Sequence, residues 1–293
     1  MLENFLLKGC GTALVTPFKE DKAVDYEALA HMVTRQIDHG IDFLVPLGST
    51  AETPCLEDDE KKKIVSITKA LCQGRPVVAG CGTNSLTKTI ENIKMLEPLG
   101  PDAFLIVVPY YNKPTQDGMY EYFKAVSEST DRGIVVYNVP GRTGSNMVAE
   151  TTLRIAELPN VIAVKEASGN IDQVLEIRKY APADFSVLSG EDHQTFPLMA
   201  GGAQGVVSVA SNIAPAMMSH LTHLLLAGEM GEALVLDNKL KPLYKDCFVE
   251  SNPIPVKGAL SLLGLCLPEM RLPLTSATAK TMELMRNVIG EYA

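Results

Sequence analysis

Apolar, β-branched runs recur along the first two thirds of the chain, with successive starts 20 to 33 residues apart. They are ALVTP from Ala13, FLVPLG from Phe43, PVVAG from Pro76, AFLIVVP from Ala103, IVVYNVP from Ile134, VIAVKEAS from Val161, FSVLSG from Phe185 and GVVSVAS from Gly205. Each interval holds one strand, one helix and two short loops. The intervening segments carry helical periodicity. After Leu56, for example, Ile64, Ile67, Thr68 and Leu71 fall at i, i+3, i+4 and i+7, and Glu57, Asp58 and Asp59 face Lys61, Lys62 and Lys63 four residues on. That charge run is a solvated helix start, with acids before bases as the helix dipole favours. Continuous apolar strands alternating with amphipathic helices predict parallel strands covered by helices. Eight of them favour an α/β fold of the (β/α)8 TIM-barrel type over a doubly wound sheet.

From about Gly228 the strand pattern stops. Helices are expected over Glu229 to Cys247 and Thr275 to Ile289, separated by a turn at NPIPV beginning with Asn252. The predicted organisation is a catalytic barrel over residues 1–227 and a C-terminal helical extension over 228–293.

Charge narrows the partners. The chain has 293 residues, 26 basic and 35 acidic, for a net charge of −9 and a pI near 5.1. With no dense Lys/Arg block, neither nucleic acid nor an anionic membrane surface is an expected partner. A small anionic substrate is compatible, because a few local cations dominate inside a cleft. No apolar run reaches the ~18 residues of a transmembrane helix, and MLENFLLKGC lacks a signal-peptide apolar region, so a cytoplasmic protein is expected. Six cysteines without a C-x-x-C pair read as free thiols.

In such a barrel the active site lies at the carboxyl ends of the strands. The second run ends in Gly48, Ser49, Thr50, Ala51 and Glu52, the fourth in Tyr110 and Tyr111, the fifth contains Tyr137 and leads to Arg142, and the sixth ends at Lys165. Alternation puts Lys165 on the face of Val161 and Ala163. An amine at the end of an apolar strand keeps some of its neutral, nucleophilic form and can form a Schiff base with a ketone. The plainer alternative is a strand exit to water, with Lys165 paired to Glu166. Tyr137, on the neighbouring strand, is a candidate for proton exchange. Ser49 and Thr50 at a strand-to-helix turn suit a carboxylate, or simple helix capping. Arg142, among Gly141, Thr143 and Gly144, suits a bidentate carboxylate contact or a surface position, and Tyr110 and Tyr111 suit rim packing as well as chemistry. His220 and His223 share a helix face but lack further ligands for zinc. Gly201 to Gly205 has the glycines of a phosphate loop without a basic residue.

Taken in order, G-S-T-A-E-T from Gly48, P-Y-Y-N from Pro109, Y-N-V-P-G-R-T-G from Tyr137, V-K-E-A-S-G from Val164, L-S-G-E-D from Leu188 and N-P-I-P-V-K from Asn252 resemble the dihydrodipicolinate synthase family of Schiff-base aldolases over essentially the full length. The resemblance implies condensation of pyruvate with L-aspartate 4-semialdehyde to 4-hydroxy-tetrahydrodipicolinate, the first committed step towards diaminopimelate and lysine, with no metal or other cofactor. It implies that Lys165 forms the imine, that Tyr137 shuttles protons, and that Ser49 links Tyr137 to Tyr111 in a relay. Thr50 then holds the pyruvate carboxylate, Gly190 and Val207 line the pyruvate pocket, and Arg142 binds the carboxylate of the aldehyde. In the family the tyrosine matching Tyr111 enters from a neighbouring subunit, and the usual assembly is a homotetramer built as a dimer of dimers.

Two positions depart from the pattern. Ser49 stands where this subfamily usually has threonine and sialic-acid lyases have serine, and Ala51 replaces the customary glycine, a strain only if the site requires positive φ. The alternatives are a sibling pyruvate-dependent lyase, acting on N-acetylneuraminate or 4-hydroxy-2-oxoglutarate, and a non-catalytic pyruvate-binding barrel. Siblings generally lack a match to Arg142. Relatives sensitive to lysine feedback carry an acid where this chain has Lys88 and commonly a histidine where it has Lys61, so insensitivity to lysine is expected.

Overall fold

The computed structural model describes residues 6–292. Eight parallel strands form the sheet: β1 (Gly9–Ala13), β2 (Phe43–Val45), β3 (Val78–Gly80), β4 (Ala103–Val107), β5 (Gly133–Asn138), β6 (Val161–Glu166), β7 (Ser186–Ser189) and β8 (Gly205–Ser208). Their order is β2-β1-β8-β7-β6-β5-β4-β3. A parallel bridge of Leu44 with Val77, and bonds of 2.9 Å from Leu44 N to Pro76 O and from Gly80 N to Pro46 O, join β2 to β3 and close the barrel. Closure removes both sheet edges.

Helices α1 (Tyr26–Asp38), α2 (Asp58–Leu71), α3 (Leu86–Leu96), α4 (Gln116–Ser127), the single turn α5 (Pro140–Thr143), α6 (Ala149–Ala156), α7 (Ile171–Tyr180), α8 (Thr195–Ala200) and α9 (Pro215–Ala227) fill the crossovers. In α2 the acids pair three rather than four residues on, Lys61 with Asp58 at 3.1 Å and Lys62 with Asp59 at 2.8 Å. Three helices follow the barrel, α10 (Met230–Asp246), α11 (Ile254–Leu262) and α12 (Ala279–Ile289). The NPIPV turn therefore opens a helix of its own, and the last helix begins at Ala279 rather than Thr275. Leu240, Leu243, Tyr244 and Cys247 of α10 and its end are buried in the same apolar cluster as Leu221 of α9 and Cys10 of β1. Among the described residues no helix is long and apolar enough to cross a membrane.

Apolar side chains divide into two layers. Phe43, Val45, Val78, Ala103, Leu105, Val135, Ala163, Leu188 and Val207 fill the barrel interior, and the opposite faces of the strands pack on the helices. The first strand is Gly9–Ala13, so the run expected to begin at Ala13 mostly follows the strand. Glycine has poor strand propensity, yet here it is required: a Cβ on Gly11 would lie 2.0 Å from the Phe43 ring. The space left at Gly11 is filled by that ring, whose burial contributes on the order of 2 kcal/mol. The parity of β6 also breaks once. Its register with β5 shifts between Ile134 and Val135, so Val161 packs towards the helices while Ile162 and Ala163 both reach the interior.

Candidate active site

The end of β6 places an amine inside the barrel. Lys165 pairs in register with Tyr137 of β5 and Leu188 of β7, is 5% exposed, and holds its Nζ 4.0 Å from the centroid of the Tyr137 ring. Glu166 turns to the other face. Its carboxylate accepts from Asn138 Nδ2 and Gln173 Nε2 at 3.1 Å and from Ser168 N at 2.8 Å. The adjacent carboxylate is thus occupied elsewhere, and a Lys165–Glu166 pair does not form. Gly190, following β7, leaves room for the lysine chain: a Cβ there would stand 3.2 Å from Lys165 Cε and 2.7 Å from Ala167 Cβ.

The loop after β2 is shaped by two left-handed residues, Leu47 (φ 59) and Glu52 (φ 54). Between them Ser49–Ala51 makes one 3-10 turn with Thr50 and Ala51 buried. Ala51 is free of the strain that a positive φ would bring, because the left-handed step falls one residue later. Glu52 is held there by a fully buried ion pair, its Oε1 2.7 Å from Lys257 Nζ of α11, while its Oε2 accepts from Arg271 N at 3.0 Å. Burial pulls the Lys257 ammonium pKa down, opposed by the Glu52 charge. Thr50 Oγ1 accepts from Asn252 Nδ2 at 2.9 Å. The loop is therefore fastened to the C-terminal extension by Lys257, Arg271 and Asn252.

A cavity of about 420 Å³ brings together Ser49, Thr50, Tyr137, Arg142, Lys165 and Gly190. Arg142 is carried by α5, a single turn closed by Gly144 in the left-handed region. Glu191, His193, Lys241 and Lys245 also line the cavity. Burial pushes the Glu191 carboxyl up, against the charges of His193 and Lys165. Two expected residues are placed differently. Val207 is buried in the barrel interior, in one cluster with Tyr137 and Ala167 of the cavity wall, and Val209 lines the wall itself. Even-odd alternation carried Val207 into the packed interior, and the chain leaves the strand after Ser208, which brings Val209 to the wall. Tyr111 is 89% exposed with φ 71, its N–H donating to Thr143 O at 3.3 Å, so its phenol projects away from this chain's cavity.

Sequence reasoning missed Asn252 and Asp192 as parts of the site. Asp192 lies in the wall behind the cavity, fully buried, its Oδ2 accepting from Val209 N at 3.1 Å and Ala210 N at 2.9 Å. Burial pushes its carboxyl up, opposed by the Ser208 hydroxyl, those two N–H groups and the charge of Lys165. Both residues stood within motifs, L-S-G-E-D and N-P-I-P-V-K, but Asp192 reaches across to the residues after the next strand and Asn252 to a loop 202 residues away, and neither contact has a local signal. The remaining candidates dissolve into packing. His223 Nε2 lies 3.0 Å from Asp42 Oδ1, and among the described residues no group of three or more His, Cys, Asp or Glu is arranged to hold a metal ion. A Cβ on Gly201 would meet the end of the Leu175 side chain at 2.2 Å, and Arg178 Nε donates to Gly202 O at 2.7 Å, at the amino end of β8 and away from the site.

A second cavity, about 370 Å³, adjoins the first through Ser49, Tyr137 and Arg142 and is lined by Thr53, Lys61, Lys88 and Tyr110. Asp58 is shared between the two lysines there, 3.1 Å from Lys61 and 3.9 Å from Lys88.

The family model described as the dihydrodipicolinate synthetase family matches residues 6–291. The 4-hydroxy-tetrahydrodipicolinate synthase of Thermotoga neapolitana is 49% identical over 291 residues, 98% of this chain and 99% of that one. The enzyme of the same name from Parabacteroides distasonis is 50% identical over 289 residues, 98% and 97% of the two chains. The crystal structure of dihydrodipicolinate synthase from Thermotoga maritima superposes with a TM-score of 0.96 at 47% identity, covering 98% of this chain and 99% of that one. With likeness of this degree running the length of both partners, the chain belongs to the dihydrodipicolinate synthetase family.

Proposed function

We infer that this chain is a lyase that condenses pyruvate with L-aspartate 4-semialdehyde to give 4-hydroxy-tetrahydrodipicolinate through a Schiff base on Lys165. The observation that carries this is the Lys165 amine, buried at the carboxyl end of β6 against the Tyr137 ring, in a chain whose relatives bear the name of this synthase. The neutral amine adds to the ketone carbon of pyruvate, and the carbinolamine expels water to leave an imine. Loss of a methyl proton gives an enamine. Its carbon bonds to the aldehyde carbon of the second substrate, whose oxygen takes up a proton and remains as the 4-hydroxyl. The amino group of that substrate then adds to the imine carbon, and the lysine amine leaves as the ring closes.

In this scheme Tyr137 moves the protons, with Ser49 linking it to a Tyr111 from a neighbouring copy. Thr50 and Gly190 shape the pyruvate site and Arg142 takes the second carboxylate. The 89% exposure of Tyr111 supports its service to another subunit; the homotetramer made of two dimers is what the family resemblance implies. The protonated imine on Lys165 itself provides the electron sink, so the reaction requires no metal or organic cofactor. The barrel of residues 1–227 supplies the chemistry and the helices of 228–293 brace it, in a cytoplasmic enzyme. A lysine effector would bring its ammonium to Lys61 and Lys88 with Asp58 already shared, so feedback inhibition by lysine is not expected. The test is a coupled assay offering L-aspartate 4-semialdehyde with pyruvate, N-acetylneuraminate, and 4-hydroxy-2-oxoglutarate in separate reactions. Turnover of the first alone is expected. Cleavage of either of the others at a higher kcat/KM would overturn the assignment.

A further inference from the structure

Asn252 is a buried side chain from the C-terminal extension that reaches the wall of the Lys165 cavity. Its Nδ2 donates to Thr50 Oγ1 at 2.9 Å, and its Oδ1 is buried without a hydrogen-bond partner. A threonine hydroxyl has one proton to give and accepts through its lone pairs. With the amide filling an accepting position, that proton is directed elsewhere, and Thr50, itself buried, lines the cavity beside Lys165. The unpaired Oδ1 marks the same wall as one left incomplete by the protein alone, since buried polar atoms in native structures are rarely without partners.

We propose that Asn252 is a positioning residue for the first substrate: by donating to Thr50 Oγ1 it turns the Thr50 hydroxyl into a fixed donor aimed at the carboxylate of the 2-oxo acid. The proposal rests on the Schiff-base reading above. It explains why a residue 202 positions along the chain from Thr50 stands in the active-site wall. It also gives the extension a part in selecting a substrate that carries an anion next to its ketone. Asn252 does not touch the reacting carbon. Its effect therefore passes through one hydroxyl and vanishes when that hydroxyl is absent.

A double-mutant cycle tests this. In the full-length enzyme, Asn252→Ala and Thr50→Val each raise the KM for pyruvate on the order of tenfold, the factor expected for a lost hydrogen bond to a charged group, with a smaller change in kcat. The double variant is no worse than Thr50→Val alone. Effects that multiply, or an unchanged KM in Asn252→Ala, overturn the proposal. Should Asn252→Ala fail to fold, Asn252→Asp keeps the shape but can only accept from Thr50. It raises the pyruvate KM by a larger factor in the wild-type background than in Thr50→Val, and an equal factor in both backgrounds contradicts the proposal. Borohydride trapping of pyruvate on the wild-type enzyme separates the two levels. No adduct there refutes the Schiff-base reading itself, whereas an adduct with independent mutational effects refutes only the role of Asn252.

Discussion

Arg142 and Asp192 show how differently two charged residues can serve one cavity. Arg142 is exposed on the single helical turn α5 at the rim, where a guanidinium meets a carboxylate in bidentate fashion. Arg142→Ala is expected to lower kcat/KM for the aldehyde by about tenfold to a hundredfold, the scale of a lost charge-assisted bond, while leaving pyruvate trapping intact. An equal loss in both would assign Arg142 to the first-substrate site or to structure. Asp192, in contrast, is fully buried behind the wall. Burial raises its pKa above that of the unfolded chain, so the native state holds the proton more tightly. Stability from this group is complete below about pH 4 and is lost as pH rises through the folded value. Asp192→Asn keeps an acceptor for Val209 N and Ala210 N but cannot ionise. Its melting temperature relative to wild type should therefore increase between pH 4 and pH 7, and a difference independent of pH would remove burial of the charge as the cause.

At the scale of elements, the loop after β2 owes its shape to a helix two hundred residues away. Glu52 occupies the left-handed region, a strained place for a non-glycine residue, and the ion pair with Lys257 holds it there with both side chains fully buried. Removing one partner strands the other charge. Lys257→Met is expected to lower the unfolding free energy by about 3–5 kcal/mol, measured by urea denaturation, and a loss below about 1 kcal/mol would show that water reaches Glu52. Strands β2 to β8 and the alternation with helices were legible because burial on both faces writes continuous apolar runs. β1 was not, since Gly9 and Gly11 are chosen to clear Asp42 and Phe43 and so carry no strand signal. Lys165, Tyr137, Thr50 and Arg142 were legible because strand ends in a barrel point to one place. The links from Asn252 to Thr50 and from Lys257 to Glu52 were not, because long-range pairing leaves no period in the chain.

For the whole molecule, a net charge of −9 surrounds a cavity in which Arg142, Lys165, Lys241 and Lys245 outnumber the carboxylate of Glu191, an arrangement that draws small carboxylates to the site. Tyr111 stands apart from it and faces outward. Mixing inactive Tyr111→Phe chains with inactive Lys165→Ala chains in equal amounts is expected to restore about a quarter of the wild-type activity, because about half of the dimers are then mixed and one of the two sites in each holds both an intact Lys165 and a Tyr111 from the neighbour. No recovery after proven subunit exchange would confine the proton relay to a single chain.

Everything rests on one bond, the imine between pyruvate and Lys165. The direct measurement is mass spectrometry of the enzyme after incubation with pyruvate and borohydride, with peptide mapping of the adduct. A single reduced pyruvate on Lys165, absent from a folded Lys165→Ala variant, is the predicted result. An adduct on another lysine, or none on a folded wild-type chain, would contradict it.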